Sequence, residues 1–234
     1  MSNPFLVWNE CRKTVFWLSS MVKTEKISID PKRIDIGKIG TIVSCLKKEG
    51  VIAYPTDTFY GLGVNCYSKE AVEKVFVLKG RDMSKPLPVV ISDRQMLPDL
   101  VESFPAVFES LADSFWPGPL TLIFRASERV SGAVLGGAKT IGVRYPDFSW
   151  LQALIQEAGF PLTATSANLS AQDEIRDVRR IIEEFYGKID MIVDGGPAPG
   201  SKPSTVVDIS SGRLAILREG AIPASAFQSF LIDS

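Results

Sequence analysis

From about residue 35 onward, short apolar runs of strand length alternate with stretches whose apolar residues recur every three or four positions. That alternation limits the folds open to the chain. Ile36, Ile39, Ile42, Val43 and Leu46 keep the helical period, with Gly50 expected to close the helix from its C′ position. Val51 to Tyr54 reads as a buried strand stopped by Pro55, and Gly61 to Asn65 as its return. A second helix carries Ala71, Val72, Val75, Phe76 and Leu78 from a Ser68 cap to Lys79-Gly80-Arg81. Further strands are expected at 88–92, 120–124, 141–144, 162–165, 191–193, 205–209 and 214–217, with helices near 105–115, 149–158, 177–186 and 223–231. Strict strand–helix alternation would build a doubly wound parallel sheet. The paired strands near 51–65 and 205–217 instead predict an α/β fold with a mixed sheet and flanking helices.

At 234 residues with 45% hydrophobic and 23% charged side chains, the chain can bury one large core, and no internal repeat divides it. Residues 25–234 are expected to form that single domain, with 1–24 as an N-terminal extension. The apolar clusters Phe5–Trp8 and Val15–Leu18 are each far too short to span a membrane; the segment reads as a short amphipathic helix, an organelle-targeting extension or, the favoured reading, residues upstream of a true start at Met21.

Composition then narrows the chemistry. Twenty-six Lys and Arg against 27 Asp and Glu give a net charge of -1, which excludes nucleic-acid binding by bulk charge but leaves room for a local basic cleft. There is no histidine at all, so Ser-His-Asp and Cys-His nucleophiles and His-ligated metals are excluded. Cys11, Cys45 and Cys66 form no CxxC pair and read as free thiols of a cytoplasmic protein, Cys45 as a small core residue. Two phosphate-binding look-alikes fail on spacing. Gly132–Thr140 places Ala138 where a P-loop needs Lys, and it enters a strand; Gly61-Leu62-Gly63 lacks a third glycine. Phe115 and Trp116 before Pro-Gly-Pro read as a core anchor.

Four patches set polar groups at strand or helix ends. Tyr54-Pro55-Thr56-Asp57-Thr58-Phe59-Tyr60-Gly61-Leu62 is either a turn capped by Asp57 or a binding loop. Lys79-Gly80-Arg81 with Lys85 is the densest useful cation cluster, suited to phosphate, although a helix dipole alone also favours cations there. Arg144 ends the apolar run from Thr140, capping a sheet edge or clamping a carboxylate. Thr163 to Ser170 carries small hydroxyls and Asn168, able to cradle oxygens or to cap a helix. Ser204 and Arg218 add a late hydroxyl and a late cation.

Taken in this order, the patches resemble the YrdC/Sua5 family of threonylcarbamoyl-adenylate synthases in its short form. The resemblance rests on Lys79-Gly80-Arg81 with Ser166-Ala167-Asn168, the Pro-Thr-Asp-Thr turn, Trp116–Thr121, Gly142–Pro146 and Ser204–Asp208, across about residues 35–220. It implies a YrdC-like twisted sheet with a concave, positively lined face. It also implies a reaction that joins L-threonine, bicarbonate and ATP into threonylcarbamoyl-AMP and pyrophosphate, for N6-threonylcarbamoyl modification of tRNA adenosine. By motif position Arg81, Lys85, Thr140, Ser166, Asn168 and Arg218 would contact ATP. Lys79, Arg81, Ser166 and Asn168 would form the catalytic group, and Thr58, Arg144, Ala164 and Ser204 the threonine site. Mg²⁺ would ride on the phosphates, and a threonylcarbamoyl-transferase complex would take the product, with direct tRNA contact left open. Val90 departs from the pattern, since longer members often carry His in this strand. The rival readings are a non-catalytic RNA-binding module and a carbamoyl-adenylate-forming relative.

Overall fold

The structure, a computed structural model, describes residues 22–168 and 173–230. The expected start at Met21 and the clusters before it, together with Leu169 and Ser170 of the fourth patch, lie outside the described residues. Eleven strands are described: β1 (Glu25–Ser28), β2 (Ile52–Tyr54), β3 (Gly61–Gly63), β4 (Val89–Val90), β5 (Leu120–Arg125), β6 (Thr140–Arg144), β7 (Leu162–Thr163), β8 (Thr165–Ser166), β9 (Met191–Asp194), β10 (Thr205–Asp208) and β11 (Ala215–Arg218). The helices are α1 (Ile36–Lys47), α2 (Lys69–Lys79), α3 (Leu97–Leu100), α4 (Phe108–Phe115), α5 (Gly132–Leu135), α6 (Ser149–Ala158) and α7 (Val178–Phe185), with 3₁₀ turns at Arg94–Met96 and Ala224–Phe230.

The α/β class holds, but the strands divide into two mixed sheets instead of one: β1-β9-β2-β3-β8 and β11-β10-β5-β6-β4-β7. The division turns on the run expected as a single strand at 162–165. Leu162 and Thr163 pair antiparallel with β4, whereas Thr165 and Ser166 pair antiparallel with β3 in the other sheet. Ala164 is therefore the crossing point, and its amide donates to the carbonyl of Pro88 at 2.8 Å.

The continuous apolar run of β2 is explained by burial on both faces. Val51 and Ala53 belong to the larger core with β5, β6 and α4, while Ile52 and Tyr54 belong to a second core with α1 and α6. Gly63 serves this packing: a Cβ there would stand 2.4 Å from the ring of Tyr54. Asp35 caps α1 by accepting from Lys38 N, and Ser68 caps α2 by accepting from Ala71 N, as its sequence predicts. The left-handed position after α1 falls to Glu49 (φ 61°), one residue before the expected Gly50. Trp116 is the anchor its sequence suggests, buried edge-on against Phe108 with its indole N–H donating to Leu120 O at 2.8 Å. Gly132–Leu135 forms one turn of helix and then leads into β6, the opposite of a P-loop. Cys66, and not Cys45, is the fully buried thiol, and both are free. Thr24, just ahead of β1, is tied to the segment before β9: its hydroxyl donates to Ile189 O at 2.6 Å and accepts from Gly187 N at 2.8 Å.

Candidate active site

Between the two sheets lies a cleft of about 360 Å³, within the range of small-molecule sites. One wall comes from β2, β3 and β8, the other from β4, β5, β6 and the ends of β10 and β11. All four patches reach it or support it.

The Pro55–Tyr60 loop turns tightly because Thr56, and not Asp57, caps it. Thr56 Oγ1 accepts from the amides of Thr58 (3.0 Å) and Phe59 (3.2 Å) and donates to Phe59 O (2.7 Å). Asp57 is thereby released to face Arg144. The guanidinium of Arg144, only 7% exposed, is held on three sides. Nε donates to Gly118 O at 3.2 Å, Nη1 donates to Thr58 Oγ1 at 3.0 Å, and Nη2 lies 2.6 Å from Asp57 Oδ1. The Pro-Gly-Pro break thus contributes a carbonyl to the site.

Lys79 does not line the cleft. At 4% exposed it points behind the Ser166–Asn168 turn and donates to Ser166 O, to Asn168 O at 2.7 Å and to Asn168 Oδ1 at 3.1 Å. Burial, and then the neighbouring Arg81, pull its pKa down to about 8. Ser166 lines the cleft and donates to Asn168 Oδ1 at 2.6 Å; Asn168 itself is buried in the turn. The buried ammonium therefore fixes the backbone that presents Ser166.

Arg81 does line the cleft. Its Nη2 donates to Pro86 O at 3.1 Å, while its Nε is sealed from solvent with no hydrogen-bond partner, and burial lowers its pKa. A buried donor without an acceptor costs free energy that an anionic ligand can return. Lys85 is exposed on the following loop, and Thr140 opens β6; neither borders the cleft.

Arg218 donates from Nε (3.2 Å) and Nη2 (2.9 Å) to Ser204 O, while the Ser204 hydroxyl shares a hydrogen bond with Thr121 Oγ1 at 2.9 Å. Thr58, Ala164 and Ser204, expected at a threonine site, all border the cleft beside Arg144, and Val90 lies on its floor next to them, paired with Arg144 across β4 and β6. Gly200 makes the crowding possible, because a Cβ there would meet Thr58 Cα at 2.4 Å.

Two residues escaped the sequence reading. Among the described residues, Glu174 is the single acid on the cleft lining; burial raises its pKa against the opposing pull of Arg218. It stands outside every motif, so no local signal marked it. Thr121 sits inside the Trp116–Thr121 run, but only the sheet register shows that its hydroxyl reaches Ser204. The expected positive lining amounts to Arg81, Arg144 and Arg218 against Glu174, amid hydroxyls and apolar groups.

A sequence profile of the Sua5/YciO/YrdC family, described as telomere recombination, matches residues 44–220. The threonylcarbamoyl-AMP synthase of Pyrococcus abyssi (strain GE5 / Orsay) is 36% identical over 200 residues, covering 86% of this chain and 59% of that protein. The protein of the same name from Bacillus subtilis (strain 168) is 36% identical over 195 residues, covering 83% of this chain and 56% of its own. The chain thus spans somewhat under three fifths of these relatives' lengths. The crystal structure of P. abyssi Sua5 complexed with L-threonine superposes with a TM-score of 0.82 at 34% identity, covering 88% of this chain and 60% of that one.

Proposed function

The chain belongs to the Sua5/YciO/YrdC family, and from that premise we propose that it is an L-threonylcarbamoyladenylate synthase, a nucleotidyltransferase that makes threonylcarbamoyl-AMP and pyrophosphate from L-threonine, bicarbonate and ATP. The observation that carries the reading is the convergence on one seam of Arg81, Ser166 and Arg218 with Thr58, Arg144 and Ser204, drawn from well-separated segments of the chain. The relative solved with L-threonine supports the amino-acid half of this assignment.

In the proposed reaction the amine of threonine attacks carbon dioxide supplied by bicarbonate and gives up a proton, forming a carbamate. A carbamate oxygen then attacks the α-phosphorus of ATP, and the bond to pyrophosphate breaks in line. Such a displacement needs positioning and charge stabilisation more than a covalent nucleophile, which suits a chain without histidine. Arg81, whose Nε waits for an acceptor, would take phosphate oxygens, with Lys85 able to swing in from its exposed loop. Ser166, held by Asn168 and Lys79, would donate to the same group. Arg144 and the hydroxyls of Thr58 and Ser204 would receive the threonine carboxylate, and the methyl of Ala164 would border its side chain. Thr140 would reach ATP from the mouth of β6.

Magnesium fits this cleft as a companion of the phosphates. Among the described residues no three acids or thiols gather to hold a metal, and Glu174 is the one lining carboxylate that would meet it. Bound there, the ion would neutralise charge on the leaving pyrophosphate. Free thiols at Cys45 and Cys66, and the absence among the described residues of a helix long and apolar enough to cross a membrane, accord with work in the cytoplasm alongside tRNA and a threonylcarbamoyl-transferase complex.

The direct test measures pyrophosphate released from ATP with bicarbonate, adding each amino acid in turn. Release that depends on L-threonine is expected; release indifferent to threonine, or none, would refute the assignment.

A further inference from the structure

Three arginines line the cleft, and the protein treats their charges differently. Among the described residues, Arg81 has no acid within ion-pair distance. Burial lowers the pKa of Arg218, Glu174 nearby opposes that, and the charge of Arg144 adds to it. Arg144 alone carries a contact ion pair: Asp57 Oδ1 stands 2.6 Å from Nη2, with side chains only 12% and 9% exposed. Among the described residues, neither of those two atoms has any other partner. Asp57 does not border the cleft; it sits behind the guanidinium.

This arrangement closes the two-pronged edges of Arg144. Nε is committed to Gly118 O and Nη2 is sealed against Asp57, so what Arg144 can offer a ligand is on Nη1, beside the hydroxyl of Thr58. The Arg144–Asp57 pair therefore carries no net charge, whereas Arg81 is a cation without such a counter-ion.

Resting on the reading that Arg144 receives the amino-acid carboxylate, we propose that Asp57 is a built-in counter-ion that makes this subsite select a zwitterion over a plain carboxylate. A ligand bearing only a carboxylate is attracted by Arg144 and repelled by Asp57 across it. At the effective dielectric of a partly buried site, that repulsion is worth on the order of a hundredfold in affinity. An amino acid brings its own ammonium, which offsets the repulsion. The same balance turns phosphate away from the amino-acid end and toward Arg81, sorting two anionic ligands within one cleft. Orientation of the guanidinium does not depend on Asp57 alone, since Gly118 O and Thr58 Oγ1 hold it as well.

The test is calorimetric titration of L-threonine and of (R)-3-hydroxybutyrate, its analogue without the amine, into wild-type protein and Asp57→Asn in the absence of ATP and bicarbonate. Wild type is expected to favour threonine at least tenfold. In Asp57→Asn, hydroxybutyrate should bind about tenfold or more tighter while threonine changes less than about threefold, compressing the preference. An unchanged ratio in the variant overturns the inference, as does loss of both ligands by a folded variant, which would make Asp57 a support for Arg144 only. Should the variant not fold, wild-type protein that binds both ligands equally overturns it. Wild-type protein that takes up no threonine removes the premise and the inference together.

Discussion

Replacing Lys79 with methionine should cost stability first and activity second. The ammonium donates to three oxygens of a single turn, Ser166 O, Asn168 O and Asn168 Oδ1, and is itself buried. Methionine fills the volume of the stem but leaves those acceptors without their charged donor. One unsatisfied buried acceptor costs about 1–3 kcal/mol. With the Ser166 hydroxyl still serving Asn168 Oδ1 and the Asn168 amide still serving Ser166 O at 2.9 Å, the loss falls chiefly on Asn168 O, so about 1–3 kcal/mol is expected. At about 2–4 °C per kcal/mol for a domain of this size, the melting temperature should fall by at least about 2 °C. Ser166 would lose its fixed position, so pyrophosphate release should drop while the Michaelis constant for threonine, set chiefly by Arg144 and Ser204 on the opposite wall, holds. Thermal denaturation together with steady-state kinetics checks this. A variant that melts like wild type and is nonetheless inactive would refute the reasoning, because Lys79 would then act on the substrate itself.

Lys79 also sets a pH dependence. Its folded pKa, lowered to about 8 from 10.5 by burial first, means the unfolded chain binds more protons between those values, so this group makes stability rise with pH across that window. Chemical denaturation of wild type and Lys79→Met from pH 7.5 to 10 should show wild type gaining on the variant by up to about 1 kcal/mol per pH unit; parallel curves would contradict it. Arg81→Ala removes a cation whose one hydrogen bond inside the protein goes to an exposed carbonyl, so folding should survive while turnover falls about 10²–10³-fold, read by melting temperature and pyrophosphate release. Gly200→Ala forces a Cβ to within 2.4 Å of Thr58 Cα, and should raise the threonine requirement more than the ATP requirement in the same assay, since Thr58 is a partner of Arg144.

The parts legible in the sequence were those written in local signals. Periodicity located α1, α2 and β2, Ser68 announced its cap, and the spacing failure at Ala138 disposed of the P-loop. What stayed hidden depends on long-range partners. β1, with the sequence Glu-Lys-Ile-Ser, has no apolar pattern because it lies at a sheet edge and takes its place from pairing with β9. Two sheets instead of one could not be read from Leu162–Ser166, since nothing local tells a strand to change partners at Ala164. At the site, Thr56 outcompetes Asp57 for the turn amides because its hydroxyl reaches both, and only then can Asp57 meet Arg144, eighty-seven positions along the chain. Lys79 shows the same limit: its motif marks it as important, but burial decides that it supports Ser166 instead of touching the cleft.

Because the cleft is lined by both cores, Tyr60 and Leu87 from the larger and Tyr54 and Val90 from the smaller, a molecule bound there touches both at once and acts as a rivet. Without it, each core can loosen at its own temperature; with it, loosening either one first requires letting the molecule go. Occupancy should therefore sharpen the melting transition as well as raise it, and the two tryptophans of the described residues, Trp116 in one core and Trp150 in the other, are natural reporters of whether the halves part company.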